Sequence, residues 1–265
     1  MSNIQAVTQR IERDELERDG FERDGFERDE LERRAAVHAA LGEPIRLAMV
    51  DELLRSDRSP SELAARFDLP SNLLAHHLAV LERVGVVERT VSSGDQRRRY
   101  VRVLPDVAVP GPSTPASRAV GSALFVCTHN SARSQLAASI WRHHVGSPAQ
   151  SAGTHPADHV HPGAVLAARR RGLDLTGEVP RRLGPDDIRN ADLVVTVCDR
   201  AHEEVDLPSD ALHWSVPDPV AAGDPDAFDR AADALELRIR AVSHPPSHPP
   251  SHPPSKPTTV TSTTS

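Results

Sequence analysis

At 265 residues the chain is too long for one small domain and sufficient for about two. Aromatic residues make up 3%, so the cores must be built from Leu, Val, Ile and Ala; the two cysteines, Cys127 and Cys198, exclude a disulfide-stapled scaffold and a four-cysteine zinc site. A net charge of −7 disfavours wholesale nucleic-acid binding but leaves room for a local basic patch. Apolar stretches fall short of the ~20 residues of a membrane span, and no apolar signal segment follows Met1. The expectation is a cytoplasmic protein with no membrane partner and both thiols reduced.

Residues 1–34 carry a five-residue repeat: Leu16-Glu-Arg-Asp-Gly, Phe21-Glu-Arg-Asp-Gly, Phe26-Glu-Arg-Asp-Glu and Leu31-Glu-Arg-Arg. A period of five advances ~500° on a helix, so its apolar residues spiral and form no stripe. A charged, disordered arm is expected. At the other end, residues 243–265 repeat Ser-His-Pro-Pro, and Pro at that density blocks helix and sheet alike. A disordered tail is expected there, with no metal role for His244, His248 or His252. Pro105 to Pro115 marks a linker over 105–121. Two bodies remain, 35–104 and 122–242.

In the first body, Ala35–Leu41 and Pro44–Leu54 have helical apolar spacing. Ser59-Pro60-Ser61-Glu62 is a capping box with Pro at the first helical position, opening a short helix through Phe67. Ser71 is placed to cap the next helix, whose Leu74, Leu78 and Leu81 share one face, with Asn72, Ala75, His76 and Ala79 directed elsewhere. Gly85 ends it. Two short helices joined by a tight turn read as helix-turn-helix. Val86–Val91 and Arg98–Val103 then read as strands around the hairpin turn Ser93-Gly94-Asp95-Gln96. The sum is a winged helix, mostly helical, with Arg97, Arg98, Arg99 and Arg102 on its wing.

The stretch from Ala40-Leu-Gly-Glu-Pro-Ile-Arg-Leu through Ala75-His-His-Leu-Ala-Val-Leu, with the Arg-rich wing, resembles the ArsR family of transcriptional repressors over about seventy residues. The resemblance implies that the helix at 71–83 enters the major groove while the wing meets the backbone or minor groove. Carried over, Asn72, Leu73, Ala75, His76 and His77 lie near the bases. Ser71, at the start of that helix, and Arg97, Arg98 and Arg99 complete the DNA-binding set. Leu73 and Ala75 stand where the family has polar residues. The family's arsenite-sensing thiols are absent, since Arg58 to Phe67 holds no cysteine. Repressors of this kind read two half-sites, so operator DNA and a homodimer are the expected partners.

The second body opens on Ala123-Leu-Phe-Val-Cys127, an apolar run that reads as a buried strand. Cys127-Thr128-His129-Asn130-Ser131-Ala132-Arg133-Ser134 follows, and then a helix from Gln135 to Val145. A loop between strand and helix turns successive N–H groups inward, and the helix N-terminus adds positive potential. Such a nest binds a tetrahedral oxyanion. The same field acts on the sulfur of Cys127 at its base. Arg133 suits a bidentate grip on two oxygens, held into the transition state. Asn130 tolerates left-handed backbone, and Ser134 can hydrogen-bond the sulfur. Further on, Gln150–Thr154, Asp192–Cys198 and Leu212–Val216 read as strands, and His161–Gly172 and Asp224–Val242 as helices. That alternation predicts α/β architecture on a parallel sheet, with its site at the strand C-termini.

This body resembles the low-molecular-weight protein tyrosine phosphatase fold and, within it, arsenate reductases of the ArsC type. The motifs are the cysteine loop, Ser151-Ala-Gly-Thr154, and Asp218-Pro219. The resemblance makes Asp218 the counterpart of the aspartate that protonates the leaving oxygen. Thr128 after the nucleophile, Gln135-Leu-Ala after Ser134, and Val220 in place of a tyrosine lean towards arsenate reductase. Val194-Val-Thr-Val-Cys198-Asp looks like the segment bearing the resolving thiol. Thioredoxin-linked relatives have a third cysteine seven positions later, where this chain has Val205. No metal or bound cofactor is implied; an external thiol or thioredoxin-like reductant is.

Three functions fit these residues. One is a DNA-binding regulator fused to a cysteine-dependent arsenate reductase. A second is the same regulator fused to a phosphatase of phosphate monoesters. The third is a regulator that senses an oxyanion without turnover.

Overall fold

The computed structural model describes residues 28–104, 120–224 and 226–243. The repeat over 1–27, most of the linker (105–119) and the tail from 244 onward lie outside the described residues. The last repeat unit corrects the expected arm: a helix, α1, spans 28–41 and takes in residues 28–34. Glu30 stands where the earlier units have Gly20 and Gly25, so a strong helix former replaces a weak one. Glu30 and Arg33 pair at 2.8 Å, and Val37, Ala40 and Leu41 are buried further along.

In the first body α2 (Pro44–Arg55), α3 (Pro60–Arg66) and α4 (Ser71–Arg83) precede a hairpin of β1 (Val87–Val91) and β2 (Arg99–Val103). The strands are antiparallel, with Arg89 opposite Val101. Ser59 caps α3 from both sides of its capping box, and Pro60 occupies the first turn. At α4, Pro70 holds the cap position and Ser71 is already helical, with no side-chain cap. This corrects the role expected for Ser71: the fixed φ of Pro70 starts the turn. Met49, Leu53, Leu63, Leu74, Leu78, Leu81 and Val101 close a core of their own.

The second body runs β3 (Ala123–Cys127), α5 (Arg133–Val145), β4 (Ala149–Gly153), α6 (Pro162–Arg170), α7 (Pro185–Arg189), β5 (Leu193–Thr196), α8 (Asp199–Glu204), β6 (Leu212–His213), α9 (Pro219–Ala222) and α10 (Ala227–Ser243). All four strands are parallel, in the order β4-β3-β5-β6. Two strands are shorter than their apolar runs predict. Cys198 caps α8, and the chain after His213 turns back towards the first body. From β3 the chain goes to β4 on one flank and later to β5 on the other, so a crevice opens at the C-terminal end of β3. Phe125 lies between Trp141 and Trp214, at centroid distances of 5.7 and 6.0 Å. Among the described residues no helix is long and apolar enough to cross a membrane.

The two bodies are joined by buried polar contacts. Asp57, fully buried, accepts from Arg238 at 2.6 Å and from the Ser215 amide at 2.7 Å. The Asp57 amide donates to the His213 carbonyl, and Trp214 Nε1 donates to the Arg55 carbonyl. Tyr100 of β2 packs on His213 at 4.5 Å, and His213 stacks on His202 at 4.1 Å. His213 Nε2 meets Asp199 at 3.1 Å and its Nδ1 meets Thr196 at 3.0 Å.

This junction titrates. Burial pushes Glu62 up, but hydrogen bonds from His202 and Ser59 outweigh it and hold it at about 2. Burial likewise pushes Asp199 up, but hydrogen bonds from His213 and the Ser93 amide outweigh it and hold it at about 2 as well. Burial lowers His213 from its ordinary 6.5. For the two carboxylates, folded values below the unfolded ones give stability that is complete above the ordinary carboxylate range and lost as pH falls towards 2. For His213, the contribution is complete above about 6.5 and declines below it. The junction is therefore expected to weaken from below about pH 6.5 and to open between about pH 4 and 2. The emission of Trp214, read in a Trp141→Phe chain, checks this; a junction equally firm at pH 3 and pH 7 would contradict it.

Candidate active site

β3 is buried along its whole length and delivers Cys127 to the crevice, 2% exposed. The loop carbonyls are tied outward. Those of Cys127, Thr128, His129 and Ser131 accept from the amides of Thr154, His155, Ala157 and His161, at 2.8–3.2 Å. Each peptide plane sets its N–H opposite its carbonyl, so these ties turn the following amides towards the loop centre. The Asn130 amide demonstrates the result, meeting Cys127 Sγ at 3.2 Å.

Asn130 supplies the left-handed step, with φ of +50°. His129 before it does not, and its side chain is exposed. Asn130 Nδ2 donates to Ser134 Oγ at 2.9 Å, which leaves the Ser134 hydrogen free to point at Cys127 Sγ, 3.0 Å away. The Asn130 carbonyl oxygen accepts from the Arg181 amide and from Gln135 Nε2. One buried amide thus ties the loop, the first turn of α5 and the segment before α7. Sequence reasoning missed Arg181 and Gln135 as its supports; a buried Asn needing several partners was the available signal. Gly153 was missed too. A Cβ there would lie 2.8 Å from the Thr128 carbonyl and 3.0 Å from the Asn130 amide, so only glycine lets β4 approach the loop.

Arg133, at the start of α5, is 6% exposed. Its guanidinium donates to the Val216 carbonyl and to Asp218 Oδ2, both at 3.0 Å. Asp218 caps α9 through Oδ1, which accepts from the Val220 amide. Both its oxygens act as acceptors, and three of the five Arg133 N–H groups remain for other partners. Cys198 is 1% exposed, with its Sγ 3.4 Å from Thr128 Oγ1. Burial pushes its thiol up and the neighbouring Cys127 adds to that, against Arg133 and the Thr128 hydroxyl. The structure therefore brings Cys127, Thr128, Asn130, Ala132, Arg133, Ser134, Cys198 and Asp218 to one end of the sheet. Among the described residues no cluster of three or more His, Cys, Asp or Glu is placed to hold a metal.

On the winged helix, Asn72, Leu73, Ala75 and His76 are exposed together on α4, and Arg97, Arg98 and Arg99 are exposed at the wing. His77 is a correction. It is 8% exposed, turned inward with its Nδ1 3.6 Å from Glu43 at the start of α2. Three residues after Leu74, it falls on the same buried face as Leu78 and Leu81.

Residues 122–244 match the family model of the low molecular weight phosphotyrosine protein phosphatase, and residues 41–90 match that of a helix-turn-helix domain. The arsenate reductase of Bacillus licheniformis is 33% identical over 126 residues, covering 44% of this chain and 90% of that protein. The chain belongs to the low-molecular-weight phosphatase and arsenate reductase family. The arsenate reductase of Halalkalibacterium halodurans is similar to the same degree, 33% identical and 90% covered. Among solved structures, an arsenate reductase from Archaeoglobus fulgidus is 30% identical over 46% of this chain and 98% of its own, with a TM-score of 0.39. The tyrosine phosphatase Wzb from Escherichia coli K30, in complex with sulphate, is 24% identical over 47% and 96%, with a TM-score of 0.43. The chain is a fusion: a helix-turn-helix regulator of the ArsR type precedes a family domain of arsenate reductase or low-molecular-weight phosphatase type.

Proposed function

We propose that the second body reduces arsenate to arsenite with Cys127 as nucleophile, and that the first binds operator DNA as a pair of chains in an arsenic response. The observation that carries the reductase reading is the buried second thiol, Cys198, held against Thr128, the residue that follows the nucleophile. Hydrolysis of a phosphate monoester needs one sulfur, whereas a two-electron reduction through a disulfide needs two.

Arsenate enters the loop and competes with Asp218 for Arg133. The Cys127 sulfur bonds to arsenic, and the hydroxyl that hydrogen arsenate carries leaves as water with the thiol proton, on the side where Asp218 stands. Cys198 then attacks the Cys127 sulfur. The S–S bond forms, the S–As bond breaks, and its electron pair stays on arsenic. Arsenic gains two electrons, the two thiols lose two, and the Cys198 proton leaves with arsenite. An external thiol or thioredoxin-like protein then returns two electrons, since Val205 offers no third sulfur. Burial keeps Cys198 protonated until an adduct forms beside it.

Thiol counting tests the scheme. Adding arsenate to reduced chain is expected to consume both thiols and yield an internal disulfide, whereas Cys198→Ser is expected to form none. An unchanged thiol count, with steady hydrolysis of p-nitrophenyl phosphate, would overturn the reductase reading.

One observation favours that second reading. A cleft of about 530 Å³ is lined by Asp218, the partner of Arg133, and by the apolar residues Val103, Pro219, Ala231 and Leu237. It has room for the organic part of a phosphate monoester, which arsenate does not need.

A further inference from the structure

The wing does not end in open space. Its turn is seated on α8, the short helix that begins directly after Cys198. Asp199 Oδ2 accepts from the Ser93 amide at 2.7 Å and from the Ser93 hydroxyl at 3.1 Å. Glu203 Oε2 accepts from the Asp95 amide at 2.8 Å. Glu203 Oε1 accepts from the Ser92 hydroxyl at 2.8 Å and from Tyr100 Oη at 3.1 Å. Two carboxylates thus occupy two backbone amides and three hydroxyls of one hairpin.

The fit extends to Gly94. A glycine at a hairpin tip is ordinarily explained by positive φ, but Gly94 is not among the residues with positive φ. What demands glycine there is α8. An added Cβ would lie 2.3 Å from Glu203 Oε2 and 2.9 Å from Arg200 Cα. Nothing within the wing calls for that residue, whereas the docked helix does.

Backbone amides and hydroxyls, flanked by arginines, are the donors with which proteins take the phosphodiester oxygens of a duplex. Here Arg97, Arg98 and Arg99 flank the donors, and anionic oxygens already fill them. We infer that Asp199 and Glu203 act as internal stand-ins for DNA phosphates, so that the wing binds either α8 or a duplex but not both at once. This rests on the DNA-binding reading above. The competition also reaches the catalytic loop. The Cys198 carbonyl accepts from the His202 amide within the first turn of α8, and Asp199 is the next residue in the chain. Displacement of Cys198 moves the carboxylate that holds Ser93. By linkage, a duplex that takes the wing alters the setting of Cys198 in return.

Two full-length variants test this from opposite sides. Glu203→Ala removes the acceptor, and Gly94→Ala forces the turn away from α8 while keeping every wing donor and the net charge. Each is expected to speed hydrogen exchange at the Ser93 and Asp95 amides. Each is also expected to tighten binding to a labelled duplex from the chain's own upstream region by roughly fivefold or more. Unchanged exchange in both variants would overturn the contact. Faster exchange with unchanged affinity would overturn the competition. Tightening by Glu203→Ala alone would assign the effect to charge and overturn it too. Failure of wild type and both variants to bind any duplex would sink the DNA-binding reading and the competition with it, while exchange still reported the contact.

Discussion

Replacing Cys127 with serine is expected to abolish turnover, lowering kcat/KM by on the order of 10⁴-fold or more, while leaving oxyanion binding in place. The sulfur at the base of the loop is its strongest nucleophile; its neighbours there are the Asn130 amide and the Ser134 hydroxyl. A serine oxygen fits the same position and can accept the same bonds, but it is a far weaker nucleophile with no base beside it. Binding depends on other groups, namely the inward amides, whose loop Asn130 also ties to Arg181 and Gln135, and Arg133, which is held at Val216 and Asp218. Titration calorimetry with arsenate or phosphate, run beside a turnover assay, separates the two. Full turnover by the serine chain would place the chemistry elsewhere, and loss of both binding and turnover would mean that the sulfur is needed to shape the loop.

Removing the Asp57 carboxylate has the largest expected effect on stability. Asp57→Ala strips partners from the half-buried Arg238 guanidinium and Ser215 amide, both of which meet a fully buried carboxylate. Breaking a buried charge pair from one side costs about 3–5 kcal/mol, because the surviving charge is left uncompensated. The loss falls on the seam between two separate cores rather than inside either. The thermal transition is therefore expected to split in two, with the bodies melting separately. Asp57→Ala together with Arg238→Met should recover much of the loss. A single transition shifted by less than about 2 °C would show the seam to be dispensable.

Much of this fold could be read from residue order because the governing interactions are local. The capping box at Ser59-Pro60-Ser61-Glu62 acts within four residues, and the leucine face of α4 repeats within three turns. The cysteine loop was readable for the same reason: its strand, its arginine and its helix are contiguous. His77 was misjudged because it was carried over with its neighbours from the family resemblance, whereas its position three after Leu74 puts it on the buried face, with Glu43 as a polar neighbour on the inner side. α8 was missed because it is a polar stretch of six residues that begins directly after the apolar run ending on Cys198. The seam was illegible for a deeper reason. Ser56, Asp57 and His213 are polar and would ordinarily be assigned to solvent, yet each is fully buried by partners more than 150 positions away in the chain. A proline-rich linker between two cores predicts a loose tether, and nothing local announces that the ends are bolted together. The supports of Asn130 were missed likewise, since Arg181 reaches it from 51 positions away.

The ion pair between Arg133 and Asp218 bears on which solutes gain entry. With Asp218 already offsetting the charge of Arg133, the loop exerts less pull on chloride or bicarbonate, which are plentiful and carry one negative charge. An anion that takes the guanidinium must outbid that carboxylate, and a doubly charged tetrahedron does so better than a singly charged ion. The resting enzyme is thereby protected from the commonest ions in its surroundings by a lock that the right guest opens with its own charge.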